Sequence, residues 1–445
     1  MLPYSLTTHP LVRTLRRPWK MASAWVASVV FGFPSRKLKV IGITGTTGKT
    51  TTVQLTVVAL QSAGYTVGAV SSIHVQIGTK TLKNRSGLTS LGPWKLQQLL
   101  AHMVRSGCQY AIIEVSSHAL DQMRFWGVRF DVAAITNLTR DHLDYHRTID
   151  DYARAKRRLF QLVARRVRKT LRGADVPRVL VASLDDPQLA PFLAEQAEEK
   201  YGITLLRPSA SRGSGVEPLY CFGIHVLPTK TTSVVMMRGR NALLHLRLQG
   251  AFNVQNALIA VAIGVSQGIE LSRITRELYE VRSIPGRFEP VDCGQPFRVI
   301  VDYAVTPAAL TALFSTLSGR HPTRMLAIFG AAGNRDRGKR AEMAEIVGKN
   351  ADVVFLTNED PFTEDPEQIF ADLEIGLKRT RAEVVKTPDR RAAIREAVHR
   401  ARPGDIVVAT GKGAEETMRF KGRTIPWNDR QVFEEALMQR YGTPH

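Results

Sequence analysis

The residues with the clearest chemistry form the stretch GTTGKTTT, Gly45 to Thr52. It follows the continuous apolar run LKVIGIT, a predicted buried strand, and precedes a predicted helix that begins near Lys49. Glycines let the backbone approach a ligand closely, and N–H groups at a helix N-terminus attract phosphate oxygens. The lysine adds a positive charge, and the hydroxyl of Thr50 can ligate Mg²⁺.

The stretch fits the shorter phosphate-loop pattern GxxGK[ST], because Ile43 stands where the strict pattern has a glycine. The agreement of strand, loop and helix favours a nucleotide site over a simple glycine turn. A phosphate loop indicates a nucleotide ligand but no particular reaction. The predicted nucleotide-binding residues in it are Gly45, Thr46, Thr47, Gly48, Lys49, Thr50 and Thr51.

Two further polar segments begin where predicted strands end. They are EVSSHALDQMR, Glu114 to Arg124, and TNLTRDHLDYH, Thr136 to His146. In an open α/β sheet, the carboxyl ends of the strands face the ligand. Glu114 and His142 are therefore predicted to meet the phosphates.

Nine motifs in order give the sequence a resemblance to the ATP-dependent Mur ligases. The phosphate loop and the two polar segments are followed by YARAKRRLF, GAFNVQNALIA, IPGRFEP, DYAVTP, GAAGNRDRGKR and GKGAEE. The resemblance runs from about residue 38 to the end and is strongest to the MurE type, the UDP-N-acetylmuramoyl-tripeptide synthetases. It implies a central phosphate-loop ATPase domain with a mostly parallel sheet and a C-terminal Rossmann-like α/β domain, with catalysis in the cleft between them.

The resemblance implies ATP-dependent formation of an amide bond in peptidoglycan-precursor synthesis. A substrate carboxylate attacks the γ-phosphate of ATP to give an acyl phosphate, and the amino group of an incoming amino acid then displaces phosphate. Positioning and charge neutralisation supply most of the catalysis. The implied ligands are ATP, Mg²⁺, a nucleotide-sugar peptide or related acceptor, and a free amino acid.

The resemblance also assigns catalytic roles residue by residue. Lys49 contacts the β- and γ-phosphates. Thr50 and Glu114 hold one Mg²⁺, and His142 and Lys156 serve a second. Because an ammonium repels Mg²⁺, Lys156 is implied to be carbamoylated, which presents oxygen to a hard cation. The alternative for Lys156 is one more basic residue on a helix face.

Other motifs carry the implied contacts to nucleotide and acceptor. The nucleotide-binding set beyond the loop consists of Asn253 and Asn256 near the adenine, and of Arg287 and Asp302, which reach phosphate and ribose. The acceptor-binding set consists of Thr89, Ser90, Ser116 and Arg124. For Ser116, capping of a helix N-terminus remains an alternative.

The stretch TNEDPFTEDP, Thr357 to Pro366, lies where the family selects its amino acid. Relatives that add meso-diaminopimelate carry DNPR here, and the arginine binds the distal carboxylate as a planar bidentate donor. This chain has Phe362 in place of the arginine, directly after Glu359, Asp360 and a proline. A distal carboxylate would lie unpaired beside two acids, so L-lysine or another basic or neutral amino acid is favoured over diaminopimelate.

Two more residues complete the implied amino-acid site. Arg335 is expected to contact the α-carboxylate, and Glu415 of GKGAEE is expected to take an amine. The acidic stretch also has a purely structural interpretation, in which its end at Asp365 caps the next helix. Asp365 is predicted to serve that capping role.

Two departures from the family bear on the substrate. About 37 residues precede the phosphate-loop domain, so the family's N-terminal UDP-binding domain is expected to be missing. Either uridine binding is then rebuilt elsewhere, or the acceptor is not UDP-linked, as in a ligase acting on folate, a lipid-linked acceptor or another cell-envelope substrate. The usual DYAHTP reads DYAVTP, and Val305 removes one polar contact at the nucleotide.

The elements that must position these motifs alternate between strands and helices, which predicts an α/β fold with parallel sheets. LKVIGIT, YAIIEV and DVAAIT are strands of the first sheet, and FRVIVDY, RMLAIFG, ADVVFLT, AEVVK and DIVVAT belong to a second. Arg154 to Arg172 is predicted to be a helix with a solvated basic face, and SASRGSG an exposed loop. The predicted domains are 1–37, a basic and apolar helical segment; 38–283, the ATP-binding domain; and 284–445, the C-terminal domain.

Composition restricts the partners of this chain. The 445 residues carry a formal net charge of +21, which favours polyanionic ligands, and three scattered cysteines suggest neither zinc nor disulfides. No aromatic-interleaved basic motif, RNP signature or helix-turn-helix pattern is present, so nucleic acid is not expected, although an NTPase that binds nucleic acid or membrane stays the rival class. The chain is predicted to be cytoplasmic. Residues 10–33 are predicted to form an amphipathic helix that either packs on the protein or contacts an anionic membrane peripherally.

Overall fold

A computed structural model describes residues 10–84, 86–207 and 215–442. The chain divides into two compact units. The first comprises the described residues up to Thr139 together with Tyr145–Arg282, and the second comprises Arg140–Asp144 and the described residues from Ser283 onward. The predicted loop SASRGSG lies outside the described residues.

The helices and strands alternate along both units. The helices are α1 Pro10–Val30, α2 Lys49–Ser62, α3 Pro93–Arg105, α4 Ser117–Asp121, α5 Leu143–His146, α6 Ile149–Ala164, α7 Ala190–Leu193, α8 Ala251–Ser266, α9 Leu271–Leu278, α10 Pro307–Ser318, α11 Arg340–Asn350, α12 Pro366–Leu377, α13 Arg390–Arg400 and α14 Asp429–Tyr441. The strands of the first unit are β1 Lys39–Thr44, β2 Val67–Val70, β3 His74–Ile77, β4 Lys80–Lys83, β5 Tyr110–Glu114, β6 Val132–Ile135, β7 Thr170–Leu171, β8 Ala174–Asp175, β9 Val179–Ser183, β10 Glu199–Thr204, β11 Glu217–Val226, β12 Thr231–Met237 and β13 Arg240–Leu246. Those of the second are β14 Glu289–Val291, β15 Arg298–Val301, β16 Met325–Phe329, β17 Val353–Leu356, β18 Glu383–Lys386, β19 Ile406–Ala409, β20 Thr417–Phe420 and β21 Arg423–Pro426.

The first unit is built on an 11-stranded sheet in the order β13-β12-β11-β10-β9-β6-β1-β5-β2-β3-β4. The strands from β11 to β2 pair in parallel, and antiparallel strands flank them on both sides. The central strands are buried along their length, as their apolar runs predict for a sheet covered on both faces. The predicted mixed α/β class with a mostly parallel sheet is confirmed.

The register of this sheet aligns three of the predicted motifs. Ile43 of β1 pairs with Glu114 of β5, and Thr44 pairs with Ile135 of β6. The three strands therefore end at the same edge, and the phosphate loop and both polar segments leave the sheet side by side. This is the carboxyl edge at which an α/β sheet binds its ligand.

The second unit has a six-stranded sheet in the order β14-β15-β19-β16-β17-β18, antiparallel only at β14. Leu326 and Ile328 of β16 face one core cluster, and Ala327 and Phe329 face another. Helices cover both faces, so alternate residues of a continuous apolar run are buried on opposite sides. The five strands predicted for this part of the chain are all present.

The N-terminal helix α1 packs on the first unit. Ser28 of α1 accepts a hydrogen bond from Gln97 Nε2 at 2.9 Å, and Ser23 accepts one from Trp94 Nε1 at 3.2 Å. The predicted helix is confirmed for the described residues of this segment. In the described part of the chain, no helix is long and apolar enough to span a membrane.

The basic stretch after Arg154 is only partly helical. Helix α6 ends at Ala164, so the prediction of one helix as far as Arg172 is wrong. The carboxylate of Asp131 draws the following residues inward, because Lys169 Nζ donates to it at 2.6 Å and Arg166 Nε lies 3.2 Å from it. Both basic side chains are buried, and this basic face is therefore not simply solvated.

Candidate active site

The predicted phosphate loop joins β1 to the first turn of α2, as the sequence predicts. Its backbone requires two of its glycines. Gly45 and Gly48 have φ values of 144° and 76°, and an added Cβ would lie 1.8 Å from Thr136 Oγ1 and 2.4 Å from Asn256 Oδ1, respectively. A larger residue at either position would therefore collide with Thr136 or Asn256.

Two lysines converge on the first carbonyl of this loop. Lys49 Nζ donates to Gly45 O at 3.1 Å and to Thr46 O at 2.8 Å. Lys156, which is 1% exposed, donates to Gly45 O at 2.6 Å and lies 4.2 Å from the centroid of the Tyr152 ring. The Lys49 ammonium at this loop suits a polyanionic ligand.

Oxygen ligands gather beside the loop. Thr50 Oγ1 donates to Glu114 Oε2 at 3.0 Å and lies 2.9 Å from Ser72 Oγ. The Ser72 N–H donates to the same carboxylate oxygen at 2.8 Å. Hydroxyl and carboxylate oxygens are the ligands that Mg²⁺ prefers, so the residues present fit that ion. Ser72, which lies two residues beyond the end of β2, was not predicted as a site residue.

No group of three or more histidine, cysteine, aspartate or glutamate side chains within the described ranges is arranged to hold a metal ion. The oxygen cluster at the loop consists instead of two hydroxyls and a single carboxylate from Thr50, Ser72 and Glu114. An Mg²⁺ bound there would complete its coordination with phosphate oxygens and water, which is its usual mode in nucleotide sites.

His142 belongs to the second unit, on the short segment Arg140–Asp144. Its Nε2 lies 3.4 Å from Asp141 Oδ2, and Asp141 Oδ1 accepts from Lys339 Nζ at 2.9 Å. Burial acts against ionisation of this carboxyl, but His142 and Lys339 hold the pKa of Asp141 well below its usual range. Asp141 and Lys339 were not predicted as site residues, although they belong to the motifs TNLTRDHLDYH and GAAGNRDRGKR.

The two predicted adenine-side residues lie on α8 beside the phosphate loop. Asn256 Oδ1 accepts from Thr52 Oγ1 at 3.3 Å, and its amide nitrogen donates to Asn253 Oδ1 at 3.2 Å. Asn253 in turn donates to Gln249 O at 2.8 Å. The structure thus groups both asparagines with the loop.

Three of the four predicted acceptor residues are connected by hydrogen bonds. Ser90 Oγ donates to Glu114 O at 3.0 Å and accepts from Ser116 N at 2.9 Å. Arg124 Nη1 donates to Ser90 O at 3.0 Å. Thr89 is half-buried next to Ser90. These residues therefore lie directly beside the carboxylate that approaches the phosphate loop.

The acceptor segment is also fixed by capping and by ion pairs. Ser116 Oγ accepts from Ala119 N at 3.3 Å, so the predicted helix N-cap is present. Asp121, at the end of α4, accepts from Arg17 at 2.6 Å and from Arg158 at 2.9 Å. Helices α1 and α6 thereby hold this segment in place.

A buried lysine closes the predicted amino-acid site in the second unit. Lys412 Nζ donates to Asp360 Oδ1 at 2.9 Å and to Glu415 Oε2 at 2.5 Å. Asp360 also accepts from the backbone N–H of Arg419 at 2.9 Å. Burial disfavours the ammonium, but the two carboxylates raise the pKa of Lys412 above its ordinary value. Lys412 was not predicted as a site residue, although it lies three residues before Glu415 in GKGAEE.

Glu359 has a different environment from Asp360. It is 6% exposed, and within the described residues its carboxylate makes no hydrogen bond. Burial raises the pKa of Glu359 to about 7, with Asp360 adding to the shift and Lys412 opposing it. This carboxyl is therefore poised to take or lose a proton near neutral pH.

The other acids of this loop are structural. Glu364 forms two hydrogen bonds with Arg340, at 2.7 and 2.8 Å, and Arg340 is 1% exposed. Asp365 accepts from Glu367 N at 3.1 Å and caps α12, which confirms the predicted cap. The four carboxylates thus divide between structure and a cluster around Lys412.

Arg335 is exposed and contacts the loop through an aromatic ring. Its guanidinium carbon lies 5.2 Å from the centroid of Phe362, and Phe362 has a φ of 52°. The guanidinium of Arg419 lies 5.9 Å from the same ring. Phe362 therefore lies among cationic groups at the position where the expected arginine is absent.

A tyrosine connects Arg287 with Glu415, and Asp302 directly precedes that tyrosine. Asp302 Oδ2 accepts from Phe288 N at 2.6 Å, and burial raises the pKa of Asp302 while Arg287 opposes the shift. The Arg287 guanidinium lies 4.3 Å from the Tyr303 ring, and the tyrosine hydroxyl donates to Glu415 Oε1 at 3.3 Å. Tyr303 was not predicted as a site residue, although it belongs to the motif DYAVTP.

Comparison with known families agrees with this geometry. The Mur ligase middle domain matches residues 43–264, and the Mur ligase, glutamate ligase domain matches residues 286–413. A UDP-N-acetylmuramyl-tripeptide synthetase of Roseiflexus sp. (strain RS-1) is 36% identical over 432 residues, covering 94% of this chain and 82% of the relative. The chain belongs to the Mur ligase family. The expected resemblance and the expected class, an ATP-dependent amide-bond ligase, are thereby confirmed.

This Mur ligase is also similar to solved structures. A UDP-N-acetylmuramoyl-L-alanyl-D-glutamate–2,6-diaminopimelate ligase shares 31% identity and a TM-score of 0.59, covering 92% of this chain and 80% of that one. Folylpolyglutamate synthase of Mycobacterium tuberculosis shares 17% identity and a TM-score of 0.63 and covers 96% of both chains. The second likeness shows a common fold only.

Proposed function

We propose that this Mur ligase joins a free amino acid to a carboxylate of a muramyl peptide in peptidoglycan-precursor synthesis. The observation that carries the proposal is the loop cluster, in which Lys49 and Lys156 meet beside the oxygens of Thr50 and Glu114. In this proposal residues 38–283 form the ATP-binding domain, and residues 284–445 supply the amino-acid site. We propose a cytoplasmic location, where ATP and free amino acids are available.

The reaction proceeds in two displacements. An oxygen of the acceptor carboxylate attacks the γ-phosphorus of ATP, and the bond to the bridging oxygen breaks to release ADP. The amine nitrogen of the amino acid then attacks the acyl carbon and loses a proton, and the carbon–oxygen bond to phosphate breaks. Lys49 neutralises charge on the transferred phosphoryl group, while backbone N–H groups of the loop orient it.

The proposal assigns the remaining nucleotide and metal contacts by residue. Asn253 and Asn256 lie near the adenine, and Arg287 and Asp302 contact phosphate and ribose. Thr50 and Glu114 would hold one Mg²⁺, and His142 and carbamoylated Lys156 would hold a second. Both ions would neutralise phosphate charge. Burial of the Lys156 amine beside the loop supports this role.

The carbamate can be tested without turnover. Protein equilibrated with ¹³C-labelled bicarbonate is expected to show one carbamate resonance in carbon NMR that Lys156→Ala lacks. Lys95→Ala, which removes an exposed lysine of the same unit, is the matched control and should retain the signal. A spectrum identical in wild type and Lys156→Ala would contradict carbamoylation at this site.

The acceptor is proposed to be a nucleotide-sugar peptide bound by Thr89, Ser90, Ser116 and Arg124. The hydrogen bonds that connect Ser90, Ser116 and Arg124 beside Glu114 support this assignment. The alternative is a ligase of the same fold that acts on an acceptor without UDP, such as folate or a lipid-linked substrate. Turnover with UDP-muramoyl-dipeptide, compared with UDP-free acceptors, separates the two.

We propose that the amino acid is L-lysine, or another basic or neutral one, rather than meso-diaminopimelate. Asp360 and Glu415 are already paired with Lys412, so Glu359 is the carboxyl left to take a distal amine, and Arg335 is proposed to contact the α-carboxylate. Phe362→Arg is expected to shift the amino-acid preference toward diaminopimelate. The matched control is Ile375→Arg, which adds the same charge at an exposed site of α12. An unchanged amino-acid profile in Phe362→Arg would remove the loop from substrate selection.

The central experiment measures release of ADP and phosphate that depends on both amino acid and acceptor. Lys49→Ala and Lys156→Ala should abolish most of this turnover, whereas Lys95→Ala should not. Unchanged turnover in the first two variants would contradict the mechanism. ATPase activity that responds to DNA, RNA or anionic vesicles and ignores amino acids would favour the rival class of nucleic-acid or membrane-binding NTPases.

A further inference from the structure

From Arg17 onward, helix α1 exposes two tryptophans and three valines and buries smaller side chains. The side chains of Ala24, Ala27 and Ser28 face the protein and are 0% exposed. At helical spacing on the opposite face, the exposed residues are Trp19 at 80%, Trp25 at 52%, Val26 at 42%, Val29 at 44% and Val30 at 61%. A helix that only covers a core shows the reverse arrangement, so this face is unpartnered among the described residues.

Tryptophans extend this apolar surface around the helix. The chain has five tryptophans, and the four that precede residue 127 are at least 40% exposed. Trp94, which is 46% exposed, donates to Ser23 of α1. Trp126 directly precedes Gly127, where an added Cβ would lie 2.2 Å from Ser28 Oγ. Trp427 of the second unit is 8% exposed and donates to Asp429.

The charge of this part of the chain has one sign. No aspartate or glutamate precedes Glu114, whereas thirteen lysines and arginines do. Arg36 and Lys37 follow α1 and are exposed, as is Lys95 next to Trp94. Tryptophans and aliphatic side chains bordered by basic residues are typical of helices that lie in the interface of an anionic membrane.

We propose that the exposed face of α1, with Trp94 and Trp126 at its margin, docks on an anionic membrane surface. This inference goes beyond the proposed function and does not depend on it. The helix would lie in the membrane plane, in agreement with the finding that no helix among the described residues is long and apolar enough to cross a membrane. A second copy of the chain is the less suitable occupant, because two identical basic faces repel each other.

The opposite side of α1 fixes the helix to the body. Arg17 forms an ion pair with Asp121 at 2.6 Å, and Gln97 donates to Ser28. The proposed docking therefore needs no release of the helix, and the whole folded chain is the binding species. Because Asp121 ends α4, the membrane face lies on the reverse side of a helix that contacts the proposed acceptor segment.

The test is vesicle flotation of the full chain without substrates. Wild type should float with vesicles of phosphatidylcholine and phosphatidylglycerol, and much less with phosphatidylcholine alone. The triple variant Trp19→Ser, Val26→Ser and Val30→Ser should reduce the bound fraction at least about tenfold. Leu243→Ser with Ile375→Ser, at sites 64% and 51% exposed elsewhere on the chain, is the matched control and should bind as wild type does.

A second variant tests the electrostatic part and does not depend on the apolar changes. Arg36→Gln with Lys37→Gln should weaken binding to the anionic vesicles by roughly fivefold per charge, and added salt should reproduce the loss in wild type. Wild-type tryptophan emission should shift to shorter wavelength on the same vesicles. Circular dichroism of both variants establishes that they are folded.

Three results would overturn the proposal. They are absence of wild-type flotation, equal flotation of the triple variant, and a wild-type dimer that the triple variant converts to a monomer, which would identify the face as a self-association surface. Ligase turnover with a water-soluble acceptor should be unchanged in the triple variant. Because flotation contains no substrate, failure of the proposed function leaves its result unaffected.

Discussion

Lys156 and Lys412 are both buried, yet the two units surround them differently. Lys156 lies over a tyrosine ring and donates to the carbonyl of Gly45, whereas Lys412 lies between the carboxylates of Asp360 and Glu415. A carbonyl oxygen orients an ammonium without carrying a net charge. Two carboxylates more than balance the charge of the Lys412 ammonium, and the ion pairs fix the positions of both carboxylates.

The difference separates a loop at which lysines meet backbone carbonyls from a cluster in which a lysine meets side-chain acids. At the phosphate loop, Glu114 accepts hydrogen bonds from Thr50 and Ser72, which aim the carboxylate at the loop. In the second unit, Asp360 is held by Lys412, while Glu359 is buried without a hydrogen bond among the described residues. Changes at the loop should therefore alter rate, and changes around Lys412 should alter stability and amino-acid choice.

The largest expected effect is on stability in the second unit. Lys412→Met leaves Asp360 buried without its ammonium, and we expect a loss of about 3 to 5 kcal/mol in unfolding free energy. Hydrogen exchange of peptides from β19 reports this unit by itself. Lys386→Met, which removes an exposed partner of Glu367, should cost less than about 1 kcal/mol. Equal effects of the two variants would mean that the buried cluster is not structural.

The second prediction concerns the loop lysine. Lys156→Met should lower kcat/KM for amino-acid-dependent ADP release by about 10² to 10³, because the side chain proposed to hold an Mg²⁺ beside the phosphates is lost. Hydrogen exchange of β19 should not change. If Lys156→Met instead lost hydrogen-exchange protection throughout β1 to the same extent as it lost kcat/KM, Lys156 would act through folding. The contrast with Lys412 would then be wrong.

The third prediction is the pH dependence of Glu359. Its folded pKa of about 7 lies above its ordinary value of 4.5, so the folded protein holds this proton more tightly than the unfolded chain. Stability is therefore present below about pH 4.5 and is lost as pH rises toward 7, by at most on the order of 3 kcal/mol. Glu359→Gln should remove that loss and gain stability relative to wild type across this window.

Glu364→Gln is the matched control for that experiment. Its hydrogen bonds with Arg340 lower the pKa of Glu364, so its contribution is lost only as pH falls through the lowered value. Denaturant midpoints at about pH 5.5 and about pH 8 should then show a pH-independent cost for Glu364→Gln. The same pattern in Glu359→Gln would contradict the raised pKa.

The smallest expected effect tests the structural end of the acidic loop. Asp365→Ala removes the N-cap of α12 and should cost about 1 kcal/mol in the same denaturation experiment. Asp365→Asn keeps a capping oxygen and should restore most of the stability. Amino-acid preference should be the same in both variants, since Asp365 lies outside the Lys412 cluster. A changed amino-acid preference in either variant would mean that Asp365 also takes part in choosing the amino acid.

Local patterns predicted much of this protein because the physics behind them is local. The apolar runs of β1, β5, β6, β16, β17 and β19 specify strands buried on both faces, and their order specifies parallel sheets. The spacing GTTGKTTT between a strand and a helix specifies the loop, and the carboxyl-edge rule brings Glu114 next to it. Asp365 caps a helix through an N–H group two residues away.

The wrong or missed predictions depend on distant partners. The helix pattern after Arg154 continues past Ala164 in the sequence, but Asp131 draws Arg166 and Lys169 into the protein. Lys412 and Tyr303 stand in quoted motifs, yet their partners lie far away in the chain. No pattern along one segment shows which acid a lysine will meet.

By itself, the sequence determined the fold class, the family, the glycine-rich loop after β1 and the helix cap, since each depends on residues close together in the chain. Tertiary structure alone decided which charges are cancelled and which apolar side chains stay uncovered. It paired Asp360 with Lys412, left Glu359 buried without a hydrogen bond in the described chain, and turned the tryptophans and valines between Trp19 and Val30 of α1 outward. Burial and pairing are properties of the assembled surroundings, because the free energy of a charge or an apolar group depends on what surrounds it.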